Sequence, residues 1–250
     1  MSEHIKVRRD GPVLFVGFDR PAKKNAIDIP MYEALVAAFD DFAGDDGALA
    51  MVMHGSDDTY TAGNDLLGFM QAQMDESGAE PASLTVMRRI EEARKPVIAA
   101  VEGWCVGIGA TLLLHTDLVY MGRSAKLKMP FTELGIVPEA GASRLVTRRY
   151  GRQAAGELLL LSDAMTARRA YDLGLCNEVT EDGGALARAT EAAERIAQMS
   201  ATSVRMTKAL MAEDDSLVAH MEEEMRQIGE RTRSDEMRAR VGRMMGGAKG

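Results

Sequence analysis

Two rhythms of apolar residues run along the chain. Short continuous apolar runs dominate the first half, and spaced apolar residues on helical faces dominate the second. IKVRR and VLFVGFD flank Asp10-Gly11, which predicts a strand–turn–strand hairpin. PMYEALVAAFDDF carries Pro30 early and puts Leu35, Val36, Phe39 and Phe42 on one face, which predicts a helix. ALAMVMHGS reads as a buried strand. NDLLGFMQAQM starts a helix that runs into a loop, DESGAEPAS, and Pro81 opens another helix through Ile90. PVIAAVEG is a strand, GIGATLLLHT a helix and DLVYMG a strand. After Gly122 strands become scarce. AGASRLVTRRYG, RQAAGELLLLS and TARRAYDLGL read as helices, CNEVT as a short strand, and Gly184 to Met245 as helical with few breaks. Strand alternating with helix, then helices alone, predicts an α/β core with a helical C-terminal part. Met225, Met237, Met244 and Met245 are expected on apolar faces, in core packing or subunit contact.

Composition narrows the class. A chain of 250 residues, 46% apolar and 27% charged, can bury one sizeable core with a small helical appendage. Two cysteines give neither a bridge framework nor metal-ligand spacing, so a reduced, cytoplasmic setting is expected. The opening MSEHIKVRRDGPV has no apolar signal region. The run PVIAAVEGWCVGIGATLLLH is interrupted by Glu102, and its uncharged remainder falls short of the ~18 residues a membrane span needs. Net charge of −8 without a basic block argues against nucleic acid. ARKP, RPAKK and the basic C-terminal segment are either local attractors for a phosphate-bearing ligand or solvated surface clusters.

Three short stretches carry candidate chemistry. In TAGNDL, Gly63 permits close backbone approach, so the Asn64 N–H can face a ligand, and Asp65 can cap a following helix. In VEGWCVGIGATLLL, Gly103, Gly107 and Gly109 cluster between a strand and a helix, and the Ile108 N–H lies where an oxyanion donor could sit. A dinucleotide fingerprint fails there, because Leu112 stands where the third glycine belongs and no acid follows a second strand. Glu139, in VPEAGAS, has no salt-bridge partner nearby in sequence. Poor solvation would raise its pKa and suit it to carry a proton, whereas a helix-start position would lower it. No nucleophile elbow, phosphate loop or H-E-x-x-H occurs. His115 reads as a satisfied helix-end histidine, and Glu222–Glu224 as a solvated helix face.

These stretches, with RPAKKNAI and MTARRAYDLGLCNEV, resemble the crotonase superfamily (the enoyl-CoA hydratase/isomerase family) from VLFVGFDRPAKKNAI to about Met211. The resemblance implies a spiral of ββα units with a helical C-terminal trimerisation region. The core would span 1–190 and hold the acyl-CoA site, with an oligomerising helical region at 191–250. It implies a homotrimer or dimer of trimers acting on an acyl-CoA substrate, with no cofactor beyond the CoA of that substrate. It places the oxyanion donors at Asn64 and Ile108, and substrate contacts at Lys24, Ala26, Ala62, Gly63, Asp65, Leu66, Gly107 and Phe131. Hydratases of the family carry two catalytic glutamates, where this chain has Thr111 and Phe131. Its acid sits at Glu139, the position that peroxisomal-type Δ3,Δ2-enoyl-CoA isomerases use, and where chlorobenzoyl-CoA dehalogenases carry a nucleophilic aspartate. The implied reaction is the shift of a 3-enoyl-CoA double bond to 2-enoyl-CoA. Hydration through Glu139 or the nearby Glu133, and acyl-CoA binding without turnover, are the alternatives. Phe131, Leu134 and the loop after Met74 are candidates for shaping the acyl pocket.

Overall fold

Parallel strands covered on both faces must be apolar throughout, and four such runs build the main sheet. In a computed structural model that describes every residue except 1, 57, 67, 69, 71–79, 212–216 and 248–250, the hairpin is β1 (Ile5–Asp10) and β2 (Val13–Phe18). Gly11 takes the positive φ of 53° that its turn requires. The sheet continues through β3 (Ala50–His54), β5 (Val97–Val101), β7 (Leu118–Gly122) and β10 (Glu178–Thr180), all parallel to β2. The spatial order is β1-β2-β3-β5-β7-β10.

One face of this sheet packs on α1 (Ile29–Gly44) and α2 (Ala82–Glu91). Asp28 starts α1 by accepting the Met31 N–H at 3.0 Å, and Pro30 sits in the first turn, where its missing N–H costs nothing. The other face packs on α7 (Ala185–Ala197). Its alanines 185, 189, 192 and 193 let the helix lie close against Phe15, Val52, Ile98 and Tyr120. A helix beginning before residue 190 therefore forms part of the core.

A second sheet was hidden in the sequence. It runs β4 (Thr59–Thr61), β6 (Trp104–Val106), β8 (Lys126–Lys128), β9 (Met165–Thr166), and its strands are two or three residues long. Apolar alternation cannot register over so short a span. Three strands of the first sheet each feed a short strand of the second: β3 into β4, β5 into β6, β7 into β8. The turn from β5 to β6 depends on Gly103, whose φ is 56° and where a Cβ would lie 1.6 Å from the Asp58 carbonyl oxygen.

Helices α3 (Ile108–Leu112), α4 (Phe131–Leu134), α5 (Ala142–Ala155) and α6 (Ala167–Asp172) follow the short strands. Gly151 kinks α5, and residues 156–160 continue as a wider π-helical turn. The chain ends in α8 (Ala201–Met211), α9 (Leu217–Thr232) and α10 (Asp235–Gly247). Met225 and Met237 are buried within this chain, whereas Met244 is partly exposed. The side chain of Met245, the loop after Met74 and most of the helix expected from Asn64 onward lie outside the described residues. No helix among the described residues is long and apolar enough to cross a membrane.

Candidate active site

The parallel pairing of β4 and β6 aligns Thr61 with Cys105, and Asn64 and Ile108 follow those partners at the same offset. The two strands therefore deliver two loops side by side. At Gly63 the approach is closest. A Cβ there would meet the Val106 carbonyl oxygen at 2.8 Å and the Gly107 Cα at 3.7 Å, and its φ of +88° also calls for glycine.

Backbone pairing orients the Asn64 amide, and a helix start leaves the Ile108 amide without an intrahelical acceptor. Ile27 bridges Asn64 in parallel fashion, donating to Gly63 O at 2.8 Å and accepting from Asp65 N at 2.8 Å. In such a bridge the central residue of the partner strand turns its own N–H and C=O to the opposite side. The Asn64 N–H thus faces away from Ile27. The Gly107 amide is used by Lys128 O at 2.9 Å, so the next amide, Ile108, is the first of α3 and has no preceding turn to accept it.

Asn25 staples this region and was not singled out from sequence. It is fully buried at φ 56°. Its Nδ2 donates to Thr59 O at 2.7 Å, and its Oδ1 accepts from Arg20 N at 2.8 Å. Tyr32 was also missed, because on α1 it is indistinguishable from a core residue. Its buried hydroxyl donates to Asn64 Oδ1, and burial together with the nearby Glu139 charge pushes its pKa up.

Beside the two loops lies a cavity of about 360 Å³, within the usual size for small-molecule sites. Ala26, Ala62, Gly63, Asn64, Leu66, Gly107 and Phe131, all expected at the site, line it. Val106, Pro130, Leu134, Ile136 and Met244 complete the wall with Glu139. Lys24, Asp65 and the Ile108 side chain do not line it. Lys24 is exposed in a left-handed turn, Asp65 accepts from Arg20 Nη1 at 3.0 Å, and the Ile108 side chain is in the core. Thr111 is buried and donates back to Ile108 O at 3.2 Å. Glu133 pairs with Lys128 Nζ at 2.9 Å, outside the cavity wall.

Glu139 is the one ionisable side chain among the described residues of that wall. It is 2% exposed, and its Oε1 has no hydrogen-bond partner. Burial first, and the Glu224 carboxylate second, push its pKa up to about 8. Of the two sequence-level readings, poor solvation prevails over helix-start stabilisation. The reason is structural: Gly141 caps α5, and the amides at that helix start are taken by Glu224, which accepts from Gly141 N at 2.6 Å and Ser143 N at 3.2 Å. Glu224 is 5% exposed, so the solvated face expected at 222–224 is corrected at this residue. His115 behaves as a satisfied helix-end residue, with Nδ1 2.7 Å from Glu91 Oε2 and Nε2 2.7 Å from Ala140 O.

An apolar cavity beside two such loops, with a single proton carrier in its wall, can hold a carbonyl group and move a proton at a neighbouring carbon. The sequence model of the enoyl-CoA hydratase/isomerase family matches residues 8–245. Enoyl-CoA delta isomerase 2 of Rattus norvegicus is 33% identical over 241 residues, covering 94% of this chain but only 61% of the rat protein. Carnitinyl-CoA dehydratase of Salmonella typhi is 29% identical over 209 residues, covering 83% of this chain and 80% of its own. The crystal structure of enoyl-CoA hydratase/isomerase from Pseudoalteromonas atlantica T6c superposes with a TM-score of 0.92 at 33% identity, covering 98% of each chain. The α/β crotonase-like fold expected from the sequence is therefore observed.

Proposed function

The chain belongs to the enoyl-CoA hydratase/isomerase family, and on that premise we propose that it shifts the double bond of a 3-enoyl-CoA thioester to give the conjugated 2-enoyl-CoA. The thioester oxygen lies between the N–H groups of Asn64 and Ile108. Glu139, ionised, takes a proton from C2. The electron pair moves through the thioester carbonyl, and the negative charge that collects on its oxygen is held by the two amides. One such donor is typically worth ~3–4 kcal/mol of barrier. The protonated Glu139 then delivers the proton to C4, the double bond settles between C2 and C3, and the carboxylate is regenerated.

One observation carries this reading: a lone, buried, unpartnered carboxylate in the wall of the cavity. Hydration needs a group to activate water and another to supply a proton. Thr111 and Phe131 replace the two hydratase glutamates, and Glu133 is engaged with Lys128. A single base that reaches both C2 and C4 suffices for isomerisation.

The test is a product screen with 2- and 3-enoyl-CoA substrates, read by mass spectrometry and by the ultraviolet absorbance of the conjugated thioester. Absorbance should grow at unchanged mass from 3-enoyl-CoA, and Glu139→Gln should abolish it while leaving acyl-CoA binding nearly intact. Uptake of water by 2-enoyl-CoA at a greater rate, or isomerisation by the variant at the parent rate, would overturn the assignment.

A further inference from the structure

The turn that carries Glu139 is built against the local preferences of the chain. Ala140 has φ 57° and Gly141 φ 70°, and a non-glycine residue in the left-handed region costs energy that something else must offset. Two groups from distant parts of the chain hold it. His115 Nε2 lies 2.7 Å from Ala140 O. Glu224, on α9, accepts from Gly141 N at 2.6 Å, from Ser143 Oγ at 2.6 Å and from Ser143 N at 3.2 Å. Beside the turn, Leu217 Cδ1 lies 2.7 Å from where a Gly141 Cβ would be, so α9 closes tightly on it.

Resting on the isomerase reading, we propose that Glu224 is a positioning residue for the proton carrier: it locks the left-handed turn that aims Glu139 into the acyl cavity and places a second negative charge behind it. The two buried carboxyl groups differ in their surroundings. Glu224 accepts three N–H or O–H bonds, which favour its ionised form, and Glu139 has an oxygen with no donor at all. Glu224 therefore carries the charge of the pair, and Glu139 holds the proton at rest. Burial raises the pKa of Glu224 as well, opposed by the bonds from Ser143 and Gly141.

The charged and titratable groups around this pair come from four elements. Tyr32 on α1 lies near Glu139. On α9, His220 Nε2 stands 3.3 Å from Glu224 Oε1. Glu91 on α2 and His115, in the turn after α3, face the far side through Ala140. Ser143, His220 and Glu224 do not form a hydrolytic triad. The hydroxyl and the carboxylate both sit at the same ring nitrogen, 2.8 Å and 3.3 Å away, so no proton can pass through the imidazole from one to the other.

The experiment uses the full chain with Glu224→Gln and Glu224→Asp. Glu224→Gln removes the charge and keeps the shape. The pH at which kcat/KM with 3-enoyl-CoA is half-maximal should fall by about one unit, as expected when a like charge is withdrawn from a buried acid. Glu224→Asp keeps the charge but shortens the reach. It should leave that pH near the parent value and lower kcat at least about tenfold with little change in KM, as a displaced base does. A purely structural Glu224 would lower the melting temperature of both variants and leave the pH profile of each in place, and that result overturns the proposal. A second readout does not need turnover. The pH dependence of the stability gap between Glu139→Gln and its parent should move to lower pH when both also carry Glu224→Gln. A moved titration in an enzyme without isomerase activity would refute the isomerase reading and keep the coupling of the two carboxyl groups. An unmoved titration would refute the coupling, whatever the reaction.

Discussion

Replacing Glu139 by glutamine should inactivate the protein and stabilise it, and the stabilisation should depend on pH in a way that a packing effect cannot imitate. Folding lifts the Glu139 carboxyl from its ordinary 4.5 to about 8. Between those values the folded chain keeps a proton that the unfolded chain has released. Stability therefore falls as pH rises through that window, because the folded state binds more protons than the unfolded one. Each pH unit in the window costs about 1.4 kcal/mol, or about 3 kcal/mol by pH 7 and about 5 kcal/mol once pH exceeds 8. The group is buried, so solvent screening does not discount the figure. Glutamine does not titrate and avoids this cost. Equilibrium urea unfolding of parent and variant at about pH 5, 7 and 8.5 should show a gap near zero at the lowest pH that widens in favour of the variant. A gap that is constant across the range, or a variant less stable at the highest pH, would show that the carboxyl is solvated or paired in solution. That result would remove the physical basis for its role as proton carrier.

Three further outcomes are expected. Because the proposed base must be ionised to accept a proton from C2, kcat/KM with 3-enoyl-CoA should rise with pH and level off above about 8, and a flat profile from pH 6 to about 9 would contradict this. Gly63→Ala would force a Cβ to 2.8 Å from Val106 O at φ +88°, parting the two donor loops; a loss of about 100-fold in kcat/KM is expected, and parent-like turnover would show that the loops need not touch. Asp28→Ala removes the acceptor for Met31 N at the start of α1 and should lower unfolding stability by about 1 kcal/mol, while isomerase turnover of the folded fraction stays near the parent rate.

The sequence by itself determined the elements whose signals are long or local. The apolar runs at β2, β3, β5 and β7 read as strands from their own residues, and Pro30 marks the start of α1 whatever surrounds it. It also marked Gly63, Gly107 and Glu139, because glycines between strand and helix, and an acid among small residues, stand out against any background. Tertiary structure alone decided what those residues do. Strands of two or three residues carry no periodicity, so the pairing of β4 with β6, which brings Asn64 beside Ile108, exists only once both are placed. The state of Glu139 was undetermined for the same reason. Whether a helix start draws its charge or burial suppresses it depends on who occupies the amides of α5, and the occupant, Glu224, arrives from another helix far along the chain. Hydrophobic pattern is written into neighbouring residues, whereas desolvation and charge coupling are properties of a place, and a place is made by segments that meet only in the folded chain.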